Sequence, residues 1–139
     1  TTNPGQPLGL LKKIASGGEL SRISLAIQVI TAQQMATPTL IMDEVDVGIS
    51  GKTAATVGSL MRELGANAQI LCITHLPQVA AQGQKHFKVE KLQTAQETTT
   101  QIVALTQSER VIELARLMGG ATMTPEALAH ASKLIEAVE

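Results

Sequence analysis

Aromatic side chains are almost missing from this sequence: Phe87 is the sole aromatic residue, with no tryptophan and no tyrosine. Stacking of nucleic-acid bases on aromatic side chains is thereby all but excluded. Cysteine is equally scarce, and the single Cys72 rules out an internal disulfide. Net charge is small as well, with 11 Lys and Arg against 12 Asp and Glu, or -1 with neutral histidines. That balance leaves no basic footprint for a nucleic acid, so any grip on DNA is expected to lie elsewhere. Long apolar runs are also lacking. Neither a signal peptide nor a membrane span is expected, and a cytoplasmic location fits best.

What is present is the pattern of a globular α/β chain. At 139 residues and 44% hydrophobic content, the length suits one domain, residues 1–139, with a real core. Residues 1–9 are rich in Pro, Gly and polar side chains and read as a loop. From Gly17 to about Gln34, Leu20, Ile23, Ile27 and Ile30 recur at helical spacing, with Leu25, Ala26 and Val29 widening the stripe. The spacing predicts a helix buried on much of its surface. Thr37-Pro38 ends it, and Thr39 to Met42 forms a short apolar run that stops at Asp43-Glu44, the pattern of a buried parallel strand. A helix from about Thr53 to Leu64 follows, with Ala54, Val57, Leu60, Met61 and Leu64 directed inward, and a second buried strand at residues 70–74. Strand, helix and strand in this order predict a right-handed crossover unit of a parallel sheet.

Beyond His75 the texture changes. Residues 77–84 suit a short helix or loop, and residues 86–90 and 101–105 alternate as half-exposed strands of a β-hairpin. The polar stretch 93–100 between them is expected to form the hairpin tip. Two C-terminal helices close the chain. Thr106 with Glu109 caps the first, which Gly119-Gly120 stops; Thr124 with Pro125 starts the second.

Three places along this framework suit phosphate chemistry. Ser16-Gly17-Gly18-Glu19 reads as an N-cap and capping box at a helix start. The two glycines there leave the first-turn amides open to an anion, and the helix dipole favours negative charge. Ligands gather beyond the carboxyl ends of parallel strands, and here these ends carry Asp43-Glu44 and Thr74-His75. Such an acid pair suits a nucleotide site, the first carboxylate holding Mg2+ through its water shell and the second orienting or deprotonating the attacking water. His75 becomes a candidate contact to a terminal phosphate. A fourth segment, residues 48–53, ends in the Gly51-Lys52-Thr53 of a phosphate-binding loop. Its pattern, G-x-x-x-x-G-K-[ST], requires glycine at position 46, which is Asp46. Asp43, Glu44 and Asp46 would also crowd negative charge where phosphates must lie.

In order, residues 16–22, 40–44, 45–51 and 73–79 resemble the signature motif, Walker B, D-loop and switch histidine of an ABC-type ATPase head. Their wording, SGGELSR, DEVDVGISG and THLPQVA, with LARLMGG at residues 114–120, is similar to the SMC-related ATPases of bacterial double-strand break repair and recombination. The resemblance runs over essentially the whole chain. It implies the C-terminal lobe of a head, with the phosphate-binding loop and coiled coil belonging to an N-terminal lobe. In the implied mechanism two heads sandwich ATP. Ser16, Gly17, Gly18 and Glu19 would contact nucleotide bound on the partner head, Asp43 would serve Mg2+, Glu44 the hydrolytic water, and His75 the γ-phosphate. Asp46 and Gly48 would lie at the dimer junction. Both ATP and Mg2+ would need the N-terminal lobe, so the chain alone is expected to be inactive. The implied partners are that lobe, a second head in a homodimer, and DNA through the full-length protein, in the cytoplasm and on the nucleoid. The open alternatives are a non-catalytic interaction module and a self-contained phosphate-loop enzyme using Gly51-Lys52-Thr53.

Overall fold

The computed structural model describes residues 5, 9–10, 17–34, 38–43, 46–93, 97–119 and 123–138. The chain divides into two compact units, residues 1–74 and 75–139. In the first, helix α1 spans Gly17–Gln34 and strand β1 Thr39–Met42, both with the bounds the sequence pattern implies. Helix α2, Gly51–Leu64, starts two residues ahead of its expected position, and strand β2, Gln69–Cys72, stops two residues short of it. β1 and β2 pair in parallel, Thr39 opposite Gln69 and Met42 opposite Cys72. The pairing extends at both ends, where the Gln69 N–H donates to Pro38 C=O at 2.8 Å and the Ile73 N–H to Met42 C=O at 2.9 Å.

α2 turns Ala54, Val57, Gly58, Met61 and Leu64 into the interior, close to the expected set, with Leu60 half-buried. Gly65 ends it, its N–H donating to Met61 C=O at 2.9 Å. α1 and the two strands depart from expectation. Leu25 and Val29 are buried, but Ile23, Ile27 and Ile30 are exposed. On the strands Met42 is buried while Ile41, 72% exposed, Leu71 and Ile73 face outward. Alternation of side chains along a strand accounts for this: one face of the pair is covered, and the face carrying Ile41, Leu71 and Ile73 has no neighbouring layer among the described residues.

The second unit contains helix α3 (Pro77–Ala80), strands β3 (Phe87–Gln93) and β4 (Thr98–Ala104), and helices α4 (Gln107–Gly119) and α5 (Pro125–Glu136). β3 and β4 pair antiparallel from Phe87 opposite Ala104 to Gln93 opposite Thr98, and the Leu105 N–H adds a bond to His86 C=O at 2.9 Å. The ladder therefore consumes much of the polar stretch that reads as a tip. β-branched Thr98, Thr99 and Thr100 accept a pleated backbone without apolar side chains. β4 is exposed along its whole length, not half-buried.

Both cap expectations at the C-terminal helices hold. Glu109 N–H donates to Thr106 Oγ1 at 3.4 Å while Glu109 Oε2 accepts from the Thr106 N–H at 2.7 Å, the reciprocal pair of a capping box. At α5 the Ala127 N–H donates to Thr124 Oγ1 at 3.2 Å, with Pro125 in the first turn. The core of this unit is Ala81, Leu114, Ala115, Ala131 and Ile135, with Val111, Leu117, Leu128 and Leu134 packed around it.

Polar side chains fasten the rest. Buried Arg110 donates through Nη2 to Gly83 C=O at 2.6 Å and Ala81 C=O at 3.4 Å, tying the segment after α3 to α4. Glu113, also buried, accepts from Arg116 Nη2 at 2.6 Å and from its Nε at 3.0 Å, and lies 3.5 Å from Lys88 Nζ on β3. Burial alone would raise the Glu113 pKa, but the Arg116 hydrogen bonds and charge, with Lys88, hold it below its ordinary value. Burial and the Arg110 cation also push His86 below its ordinary 6.5, and Glu113 only partly offsets them.

Leu114 is fully buried. Leu114→Ala is expected to cost about 2–5 kcal/mol, read as a lower midpoint in urea unfolding. Stability should also fall in two stages on acidification. The His86 contribution is complete above its ordinary 6.5 and is lost as pH falls from there through its depressed native value, because the unfolded state takes up the proton first. The Glu113 contribution is complete above its ordinary 4.5 and disappears as pH falls through its depressed native value. Unfolding curves across pH should show the upper stage flattened in His86→Asn and the lower in Glu113→Gln.

Candidate functional site

Parallel pairing sets the site, because it brings the carboxyl ends of β1 and β2 together. Met42 opposes Cys72, so the two chains leave the sheet side by side, one into Asp43 and the other into Ile73 and Thr74. Asp43 is exposed there. Asp46, three residues on, is only 4% exposed, and its Oδ2 accepts a 2.6 Å hydrogen bond from Thr74 Oγ1. A buried carboxylate is costly without such a donor, and a short bond to a charged acceptor is among the stronger kinds.

The Cys72 thiol registers these acids. Burial, then the charges of Asp46 and Asp43, raise its pKa to about 11. Such a thiol stays protonated at neutral pH, which makes it a poor nucleophile. Among the described residues no group of three or more His, Cys, Asp or Glu is arranged to hold a metal. One exposed carboxylate at a strand end nevertheless fits Mg2+, which keeps several waters and commonly takes only one or two carboxylates.

After Asp46 the chain turns sharply. The Ile49 N–H donates to Asp46 C=O at 3.3 Å, and Gly48 sits at φ 73°, a left-handed conformation that glycine adopts without steric penalty. Val47 and Gly48 at the tip are exposed, and Ile49 is buried. Ser50 then occupies the N-cap position of α2 without a side-chain capping bond. Lys52 and Thr53 are exposed in the first turn of α2. Asp46, buried and bonded to Thr74, stands where the pattern of a phosphate-binding loop needs a glycine.

Gly17 and Gly18 open α1, and Glu19 in its first turn is half-buried. The first amides of an α-helix have no partner within it and are available to an anion. Ser16 and Glu44 lie outside the described residues, so the Ser16 cap and the Glu44 carboxylate have no geometry here. His75 is exposed and opens the second unit, directly after Thr74 in sequence. Leu76 follows as the N-cap residue of α3, with Pro77 in the first turn. The structure thus brings Asp43, Asp46, Cys72 and Thr74 to one sheet end. The Asp46 to Thr74 contact is the feature that sequence reading passes over; its signal is an acid just past one strand end and a hydroxyl just past the neighbouring one.

No protein-family model matches the chain. Curated relatives do. It is 59% identical over 135 residues, 97% of its length, to the DNA repair protein RecN of Vibrio cholerae. It is 58% identical over 99% of its length to RecN of Haemophilus influenzae, and 41% identical over 98% to RecN of Halalkalibacterium halodurans. The chain spans about a quarter of the length of these relatives, 24% to 25%. Among solved structures it is similar in fold to a chain from work on ATP-driven dimerization and DNA-stimulated activation of SMC ATPases, at a TM-score of 0.66 and 18% identity. That likeness covers 86% of this chain and 70% of the other. The chain therefore belongs to the RecN family of DNA repair proteins and corresponds to about a quarter of a member's length.

Proposed function

We propose that residues 1–139 act as the C-terminal lobe of an ATP-hydrolysing RecN head that serves DNA double-strand break repair and recombination. What supports this most is the parallel β1–β2 pair, whose carboxyl ends lie side by side and lead into Asp43 and Thr74. The second support is the apolar surface: Ile23, Ile27 and Ile30 on α1, and Ile41, Leu71 and Ile73 on the open face of the sheet. Parallel sheets are normally covered on both faces, so these side chains suit the docking of an N-terminal lobe.

In this reading each group has a task that matches its chemistry. Asp43 would hold Mg2+, which when bound would supply charge neutralisation at the terminal phosphates. Glu44 orients the attacking water and accepts its proton. His75 donates a hydrogen bond to an oxygen of the γ-phosphate, and the α1 start, Ser16 to Glu19, presents its amides to nucleotide on a second head. The exposed tip at Val47 and Gly48 suits the junction between heads, with Asp46 holding it from within. DNA is engaged by the full-length homodimer, in the cytoplasm and on the nucleoid.

ATP hydrolysis by this chain, alone and mixed with a RecN N-terminal lobe carrying the phosphate-binding loop, tests the reading. Turnover is expected only in the mixture, and Glu44→Gln should lower it about 100-fold or more. A mixture that stays inactive while the lobes bind each other would point to an interaction module instead. Lys52→Ala is expected to change hydrolysis by less than about threefold, within the range of an exposed surface substitution. Loss of nucleotide binding in Lys52→Ala would make Gly51-Lys52-Thr53 the phosphate loop.

A further inference from the structure

The loop that leaves β1 carries both acids of the proposed chemistry, yet Asp43 is exposed and the tip at Val47 and Gly48 is exposed. Asp46, like Ile49 three residues on, is buried, and it is bonded to Thr74 at 2.6 Å across 28 residues of sequence. Thr74 itself lies just past the last inter-strand backbone bond among the described residues, from the Ile73 N–H to Met42 C=O. The Asp46 to Thr74 bond therefore adds a side-chain link between the segments that follow β1 and β2. It ties down the loop two residues after Glu44 and three after Asp43.

We propose that Thr74 is a positioning residue for the acidic loop, its hydroxyl holding Asp46 and thereby setting where Asp43 and Glu44 stand. The inference rests on the reading that these acids serve ATP hydrolysis. Chemistry of that kind is sensitive to placement, and a shift of about 1 Å can cost about 100-fold in rate. Thr74→Val keeps the β-branched shape and removes the donor, while Thr74→Ser keeps the donor.

The first readout is amide hydrogen exchange in the chain by itself, at Ile49, whose N–H closes the turn on Asp46 C=O. Exchange at Ile49 is expected to quicken at least about fivefold in Thr74→Val, beyond any change at Val57 to Leu64 of α2, and to stay at the wild-type rate in Thr74→Ser. The double variant Asp46→Ala/Thr74→Val, which removes the buried carboxylate together with its donor, should keep the fold and still show fast exchange. Wild-type exchange at Ile49 in both valine variants would overturn the inference.

The second readout is hydrolysis by the mixed lobes. Thr74→Val is expected to lower kcat at least about tenfold with KM for ATP within about twofold, and Thr74→Ser to restore it. A Thr74→Val mixture with wild-type kcat, alongside an inactive Glu44→Gln mixture, would sink the positioning role alone. Undiminished hydrolysis in Glu44→Gln would instead sink the reading on which it rests.

Discussion

Parallel pairing of β1 with β2 is the constraint on which the first unit depends. Two parallel strands cannot be joined by a tight turn, because the chain must travel back the full length of the strand before it can pair again. α2 makes that return, and its buried Ala54, Val57, Met61 and Leu64 form the side of the unit that needs no outside partner. The same requirement places both carboxyl ends on one edge. Acids and hydroxyls that lie 28 residues apart in sequence become neighbours without any motif of their own. Topology, more than local sequence, creates the polar end of this sheet.

The second unit solves a different problem. Among the described residues its main apolar cluster is small, five buried residues that include Leu114, and it lies between α4, α5 and the segment after α3. The long hairpin contributes none of the five. Instead, Lys88 on β3 pairs with Glu113, and Arg110 holds the Ala81 and Gly83 carbonyls. Buried ions of this kind add specificity of placement more readily than net stability, since desolvation offsets much of their attraction. α4 thus serves as the common post for its neighbours, offering apolar side chains at Leu114 and Ala115 and charged ones at Arg110 and Glu113.

Periodicity made the framework legible. Punctuation by Pro38 and Gly65, and the caps at Thr106 and Thr124, located most element ends to within two residues. Coverage was not legible. The stripe Ile23, Ile27, Ile30 is apolar at helical spacing whether or not anything lies against it, and a pattern records the orientation of a face but not its neighbour. The hairpin was underestimated because backbone pairing asks little of side chains, so Thr98 to Thr100 extend the ladder while reading as a polar loop. At the site, Asp43 was legible from a strand that stops at an acid. The inward turn of Asp46 toward Thr74 was not, since nothing in either segment announces a partner so distant along the chain.

The β3–β4 ribbon has a consequence for solubility. Among the described residues it is a sheet of only two strands, so each strand has an outer edge whose amides and carbonyls meet no other strand. Seven-residue strands bearing Phe87, Val89 and Ile102 in exposed positions are long enough to recruit further strands edge to edge. Lys88, Glu90 and Lys91 interrupt that run, and stacking like charges in register at a strand spacing of about 5 Å is unfavourable. Three charged positions on one strand therefore oppose edge-to-edge addition of further copies of the ribbon.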